Sequence, residues 1–160
     1  MKVVGVDPGL RVSGYAVVEQ GQKTREIRVL DAGVIKADDS LELEKRLGQI
    51  YNDIDALLNE HEVDIMAVEE LYAHYEHPRT AILMGHARGM FLLAAANHGV
   101  KVVSFAATRI KKCLTGHGRA SKQQMQHAVA QQLKLGQVPR PADVADALAI
   151  AMCCVNEYDR

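Results

Sequence analysis

The 160-residue sequence contains no tryptophan, two phenylalanines, four prolines and 12 glycines. A collagen-like or low-complexity chain needs far more glycine and proline than this. The longest unbroken apolar run, Ala147 to Val155, is nine residues, about half of the roughly 18 that a membrane span requires, so no segment is expected to cross a bilayer. The chain reaches Asp7 before any apolar stretch of signal-peptide length, and a cytoplasmic location is the resulting expectation. Three cysteines, Cys113, Cys153 and Cys154, are odd in number and form no Cys-x-x-Cys pair, which argues against a disulfide framework and for reduced core thiols. What remains, 48% hydrophobic and 24% charged residues, is the composition of one globular domain spanning residues 1–160.

One further absence is local. From His77 to Ala142 there is no Asp or Glu in 66 residues, while the same stretch carries ten Lys/Arg and five of the seven histidines. That segment is +10 and the rest of the chain, with nine Lys/Arg and all 20 Asp/Glu, is −11. The overall charge of −1 therefore hides a strong polarity along the chain. Charge runs commonly do no more than solvate a face, but a stretch this long without an acid points to a surface that meets a polyanion such as nucleic acid.

Lys2 to Asp7 reads as a central strand running into an Asp-Pro-Gly turn, followed by β-rich runs at Tyr15–Glu19 and Glu26–Ile35. Leu41, Leu47, Ile50, Tyr51, Ile54, Leu57 and Leu58 recur mostly at helical spacing, with Asp39 as the expected N-cap and Glu42 three residues later. Asp64–Glu69 is a fourth strand. Pro78 opens a helix to Asn97 that Gly99 closes, Lys101–Ala106 is a fifth strand, Ser121 with Gln124 caps a helix to about Leu135, and Pro141 opens a last helix toward Asn156. A meander of three strands followed by strand–helix alternation predicts an α/β domain with a mixed five-stranded sheet, helices on both faces and the site at the carboxyl ends of parallel strands.

Asp7 and Glu69 fall at such strand ends. Alternation puts Glu69 on one face with Ile65 and Ala67, and Glu70 on the other, without deciding which of the two acids is functional. Asp143 and Asp146, three apart at the start of the last helix, share a face. Asp143 can be read simply as an acid complementing the helix dipole, and Asp7 as a turn residue. Asp146 sits deeper among alanines that allow close approach. Four converging carboxylates would repel one another unless cations held them, and Mg²⁺, a hard ion that takes oxygen ligands and keeps several waters, suits the set. A pair of such ions about 4 Å apart supports phosphodiester hydrolysis. No zinc-type Cys/His spacing and no Gly-x-x-x-x-Gly-Lys loop competes.

Val6-Asp7-Pro8-Gly9 with Gly14-Tyr15-Ala16-Val17-Val18, Ala67-Val68-Glu69-Glu70-Leu71-Tyr72, Gly85-His86-Ala87-Arg88-Gly89 and Ala142-Asp143-Val144-Ala145-Asp146-Ala147-Leu148-Ala149-Ile150-Ala151 occur in order. Together they closely resemble the RuvC family of bacterial Holliday-junction resolvases over nearly the whole chain. The resemblance implies an RNase H-like fold and a homodimer that resolves four-way DNA junctions by paired nicks leaving 3′-hydroxyl and 5′-phosphate ends. It implies Asp7, Glu69, Asp143 and Asp146 as catalytic, metal-binding acids served by Mg²⁺ or a substituting Mn²⁺, two ions per site, and it favours Glu69 over Glu70. Lys111 and Lys122 resemble the family's functional lysines near bound DNA. Tyr72 falls where some members carry phenylalanine, and Asp143 where some carry a nearby histidine. RuvA and RuvB, the branch-migration proteins, are candidate partners on the same ground. Competing readings are another RNase H-like nuclease, an actin-like nucleotide-binding fragment, for which the chain is too short by about half, and a non-catalytic junction-binding module in which the acids are only caps and turns.

Overall fold

The computed structural model describes residues 1–21, 26–71 and 78–158. The strands are β1 (Lys2–Asp7), β2 (Val12–Gln20), β3 (Ile27–Lys36), β4 (Ile65–Glu69) and β5 (Lys101–Phe105). The helices are α1 (Leu43–His61), α2 (Pro78–Asn97), α3 (Ala107–Thr115), α4 (Lys122–Gln132) and α5 (Ala142–Tyr158). The strands form one sheet in the order β3-β2-β1-β4-β5. β1, β2 and β3 pair antiparallel, whereas β4 lies parallel to β1 and β5 parallel to β4. This is the expected mixed five-stranded α/β sheet.

The two faces of the sheet divide by strand parity. Val4 and Val6 of β1 and Met66 and Val68 of β4 pack with α1 and α2 residues such as Ile50, Ile54 and Phe91. Val3 of β1 and Ile65 and Ala67 of β4 pack with α3, α4 and α5 residues such as Ile110, Met125 and Leu148. Helices thus cover both faces. Every residue of α5 from Val144 to Val155 is buried except Asp146, because this helix lies between the sheet on one side and α3 and α4 on the other.

Several elements differ from the sequence expectation. α3 was not expected, because β5 runs into it through Ala106, an N-cap without a side-chain hydrogen bond. α1 begins at Leu43 with Glu42 as an uncapped N-cap residue, and Asp39, in the connection from β3 to α1, instead pairs with Arg11 of the β1–β2 turn. β2 starts at Val12, three residues early, and α4 stops at Gln132. The expected capping box at Ser121 and Gln124 is present, with Gln124 N donating to Ser121 Oγ at 3.2 Å and Ser121 N to Gln124 Oε1 at 2.8 Å.

Candidate active site

Asp7 is the last residue of β1 and Glu69 the last of β4. Val6 pairs with Val68 in parallel register, so the two acids that follow stand side by side at the carboxyl ends of neighbouring strands, roughly 4.8 Å apart along the sheet. Strand parity turns both toward α5, on the Val3 and Ile65 face. Glu70 follows on the opposite parity, and its N–H closes the β5 edge by donating to Phe105 O at 3.0 Å. The third and fourth acids descend from above: Asp143 in the first turn of α5 and Asp146 three residues on.

The placement of α5 depends on two residues without side-chain chemistry. Gly14, the cross-strand partner of Asp7, has no room for a Cβ, which would lie 2.0 Å from Asp143 O. A Cβ on Gly5 would lie 2.3 Å from Ala147 O. The amino-terminal half of α5 therefore rests directly on the backbone of β1 and β2, and its acids are lowered onto Asp7. Next to Gly14, Ser13 is the fully buried polar side chain among the described residues. Its hydroxyl donates to Gly9 O at 2.7 Å and accepts from Gly9 N at 2.9 Å, clasping the turn that follows Asp7. Behind Glu69, Arg88 of α2 donates from Nε to the Glu69 carbonyl at 3.3 Å and from a guanidinium NH₂ to Ser104 Oγ at 2.7 Å. The patterns that mark the four acids in the sequence do not mark Ser13, Gly14 or Arg88 as positioning groups. Gly14 and Arg88 lie within the motifs that carry the family resemblance, which was the available signal.

A cleft of about 220 Å³ opens between α3, α4 and α5, lined by Glu69, Asp146, Lys111 and Lys122 together with Ala107, Ile110 and other apolar side chains. Lys122 Nζ lies 3.0 Å from Asp146 Oδ2, and this hydrogen bond is the main reason its ammonium is held above the usual lysine range. Burial pushes the Asp7 carboxyl up from 3.8 to about 7, with the negative charges of Glu69, Asp146 and Asp143 adding to the rise and Lys122 opposing it. Glu69 is raised by burial and by Asp146, against Lys111 and Lys122. Four of the acids and two of the basic residues singled out in the sequence are thus electrostatically coupled around one place. Tyr72 lies outside the described residues.

The donor set is all carboxylate oxygen, the chemistry a hard divalent ion such as Mg²⁺ requires and a zinc site does not. Among the described residues no three acids, histidines or cysteines already close around one point. The fit rests instead on charge: burial and three neighbouring acids oppose Asp7's ionisation, so a divalent cation would stabilise its charged form.

The family model described as Crossover junction endodeoxyribonuclease RuvC matches residues 3–154. A crossover junction endodeoxyribonuclease RuvC from Rhodopirellula baltica is 51% identical over 151 residues, covering 94% of this chain and 84% of that protein. The fold superposes on a solved Thermus thermophilus RuvC structure with a TM-score of 0.91 and 33% identity, over 99% of this chain and 96% of that one. The structure of T. thermophilus RuvC in complex with Holliday junction substrate matches with a TM-score of 0.89 and 29% identity over the same shares.

Proposed function

The chain belongs to the RuvC family of crossover junction endodeoxyribonucleases, and we infer from that membership together with the coupled carboxylates that it resolves four-way DNA junctions in recombination and repair by hydrolysing phosphodiesters at Asp7, Glu69, Asp143 and Asp146. The observation that carries the assignment is the meeting of Asp7 and Glu69, at the ends of neighbouring parallel strands, with Asp143 and Asp146 of the closely seated α5, beside a cleft lined by Lys111 and Lys122; burial and the three other acids raise the Asp7 carboxyl accordingly. Caps and turns do not produce such an arrangement, so a junction-binding module without chemistry is the weaker reading.

The four carboxylates would hold Mg²⁺, two ions per site with Mn²⁺ as a substitute. When bound, such ions supply an activated water and charge stabilisation for the leaving oxygen. The chain's own contribution is placement. Gly14 and Gly5 seat α5, Ser13 clasps the turn after Asp7, and Arg88 fixes the end of β4. Lys111 and Lys122 stand where a scissile strand would approach the acids and would hold its phosphates, and Tyr72 would stack on an unpaired base near the junction centre.

Cutting two strands symmetrically calls for a homodimer. The exposed side of α2 is suited to form one: Ile82 is 62% and Leu93 48% exposed, and between them Gly85 and Gly89 leave open space that another helix could approach. Phe91 on the same helix is fully buried in the core, where it packs with residues of β1 and β4. The resemblance extends the proposal to RuvA and RuvB as partners, with no residue of this chain assigned to them.

The reading is tested with an end-labelled four-way junction in Mg²⁺. Two nicks at symmetric positions on opposing strands, yielding duplexes that a DNA ligase seals, are expected. Cleavage of RNA–DNA hybrids with junctions left intact would point to a different RNase H-like nuclease.

A further inference from the structure

A second cleft, of about 780 Å³, lies outside the carboxylate site between the carboxyl end of α3 and the outer side of α4. Its lining includes His117, Arg119, Gln123, His127, Gln131 and Gln132, and no carboxylate. Two further clefts on the described surface are different in kind, one walled by Glu26 and the other by Glu62. In a chain with 20 acids, a groove of this size that offers an arginine, two imidazoles and several amides, with no anion to repel a phosphate, has the character of a phosphodiester track.

Three structural details shape the groove. Gln132 Nε2 donates to Leu114 O at 2.9 Å and ties α4 to α3 at one end. His127 Nδ1 donates to Gln123 O at 2.8 Å, which fixes the ring on the surface of α4. The groove and the proposed catalytic cleft share no lining residue but meet at the start of α4: Lys122, its first residue, lines the cleft, and Gln123 and Gln124 line the groove. A strand whose phosphate lies beside Lys122 therefore reaches the groove within one turn of helix.

From Gln123 to Gln132 the helix rises about 13 Å at 1.5 Å per residue. At roughly 3.4 Å of helix axis per phosphate on one strand, that length accommodates about four phosphates. We propose that the α3–α4 groove carries the sugar-phosphate backbone of one duplex arm as it leads away from the cut, over about four phosphates, with Arg119 as its charged contact. The assignment rests on the chain acting as a junction nuclease and adds to it the path of the DNA beyond the scissile phosphate.

The experiment compares the full-length wild type with Arg119→Ala, Gln131→Glu and Lys134→Ala on two four-way junctions, one with long arms and one in which the arm leading away from the cut is truncated so that it stops short of the groove. Binding is measured in Ca²⁺ over a range of salt, and cleavage separately in Mg²⁺. Arg119 and Gln131 are exposed, so folding is expected to survive, and thermal melting checks it. Lys134 is paired with Glu26 at 3.1 Å and is a control outside the groove.

On long arms Arg119→Ala should bind several-fold more weakly and lower the salt slope by about 0.9. Gln131→Glu should also weaken binding, through repulsion. On the truncated junction both should match the wild type, while Lys134→Ala should match it throughout. If the groove variants equal the wild type on long arms while the wild type still cleaves, the track is wrong and the nuclease assignment stands. Equal losses on the two junctions would place Arg119 at the junction centre and also overturn the proposal. A wild type that neither binds nor cleaves junctions would overturn the underlying function and the track with it.

Discussion

Asp7→Asn should make the metal-free protein more stable, and the size of the gain follows from the carboxyl's displacement. The group ionises near 3.8 in the unfolded chain and at about 7 in the folded one. Below about pH 4 it is protonated in both states and contributes no difference. Between pH 4 and 7 the unfolded chain loses the proton while the folded protein keeps it, so stability falls as pH rises; above 7 the loss is complete. At 1.36 kcal/mol per pH unit the cost approaches about 4 kcal/mol at pH 8. Asparagine has nearly the same shape and no charge, and should recover much of it. For a chain of this size 1 kcal/mol moves the melting temperature by roughly 2–4 °C, so the variant should melt up to about 8–16 °C higher at pH 8 and equally with the wild type near pH 4. Circular dichroism melts in chelator at the two pH values make the comparison. Added Mg²⁺ should narrow the gap, because a ligand that binds only the folded state stabilises it by about 2.7 kcal/mol at 100 times its Kd. A variant no more stable than the wild type at pH 8 in chelator would refute the claim that burial and neighbouring acids load strain onto Asp7.

Gly14→Ala forces a Cβ to within 2.0 Å of Asp143 O and should cost roughly 1–3 kcal/mol and, through a shift on the order of 1 Å in the α5 acids, about a hundredfold in cleavage rate. Gly48→Ala, where the Cβ meets open space, should leave cleavage unchanged and stabilise α1 by about 0.5–1 kcal/mol; cleavage kinetics beside denaturant melts separate the two. Lys111→Ala and Lys122→Ala should each weaken junction binding and lower its salt slope by about 0.9 if each ammonium meets one phosphate, as read by fluorescence anisotropy across salt. Ile82→Glu places a charge on the exposed side of α2 and should shift sedimentation from dimer to monomer; an unchanged dimer would move the interface elsewhere.

Much of this site can be read from the chain because its acids are marked by local pattern. Asp7 ends a valine-rich strand at an Asp-Pro-Gly turn, and the parity of Ile65, Ala67 and Glu69 assigns the side that Glu69 faces before any contact is known. Asp143 and Asp146 share a helical face by spacing alone. Ser13 and Gly14 are different, since their significance depends on α5 packing back from some 130 residues along the chain, which no local periodicity shows; Gly14 is marked only by its place in a family-like motif. The absence of a capping side chain concealed α3, although Ile110 and Leu114, four residues apart and both buried, were the trace it left. Asp39 had the residue type of an N-cap but formed an ion pair with Arg11, and α1 began four residues later. Phe91 shows the limit of composition: α2 is apolar on more than one side, and only the packing decides that the phenylalanine faces the sheet while Ile82 and Leu93 face out.

The central claim is that Asp7, Glu69, Asp143 and Asp146 carry out the hydrolysis while the basic surface holds the DNA, and a single panel tests it. Asp7→Asn, Glu69→Gln, Asp143→Asn, Asp146→Asn and Glu70→Gln are assayed for junction binding in Ca²⁺ and for cleavage in Mg²⁺. The four site variants should bind about as well as the wild type and fail to nick, with Glu70→Gln retaining most activity. Wild-type cleavage by Asp7→Asn or Asp146→Asn, or undiminished cleavage by the wild type in excess chelator, would contradict the account.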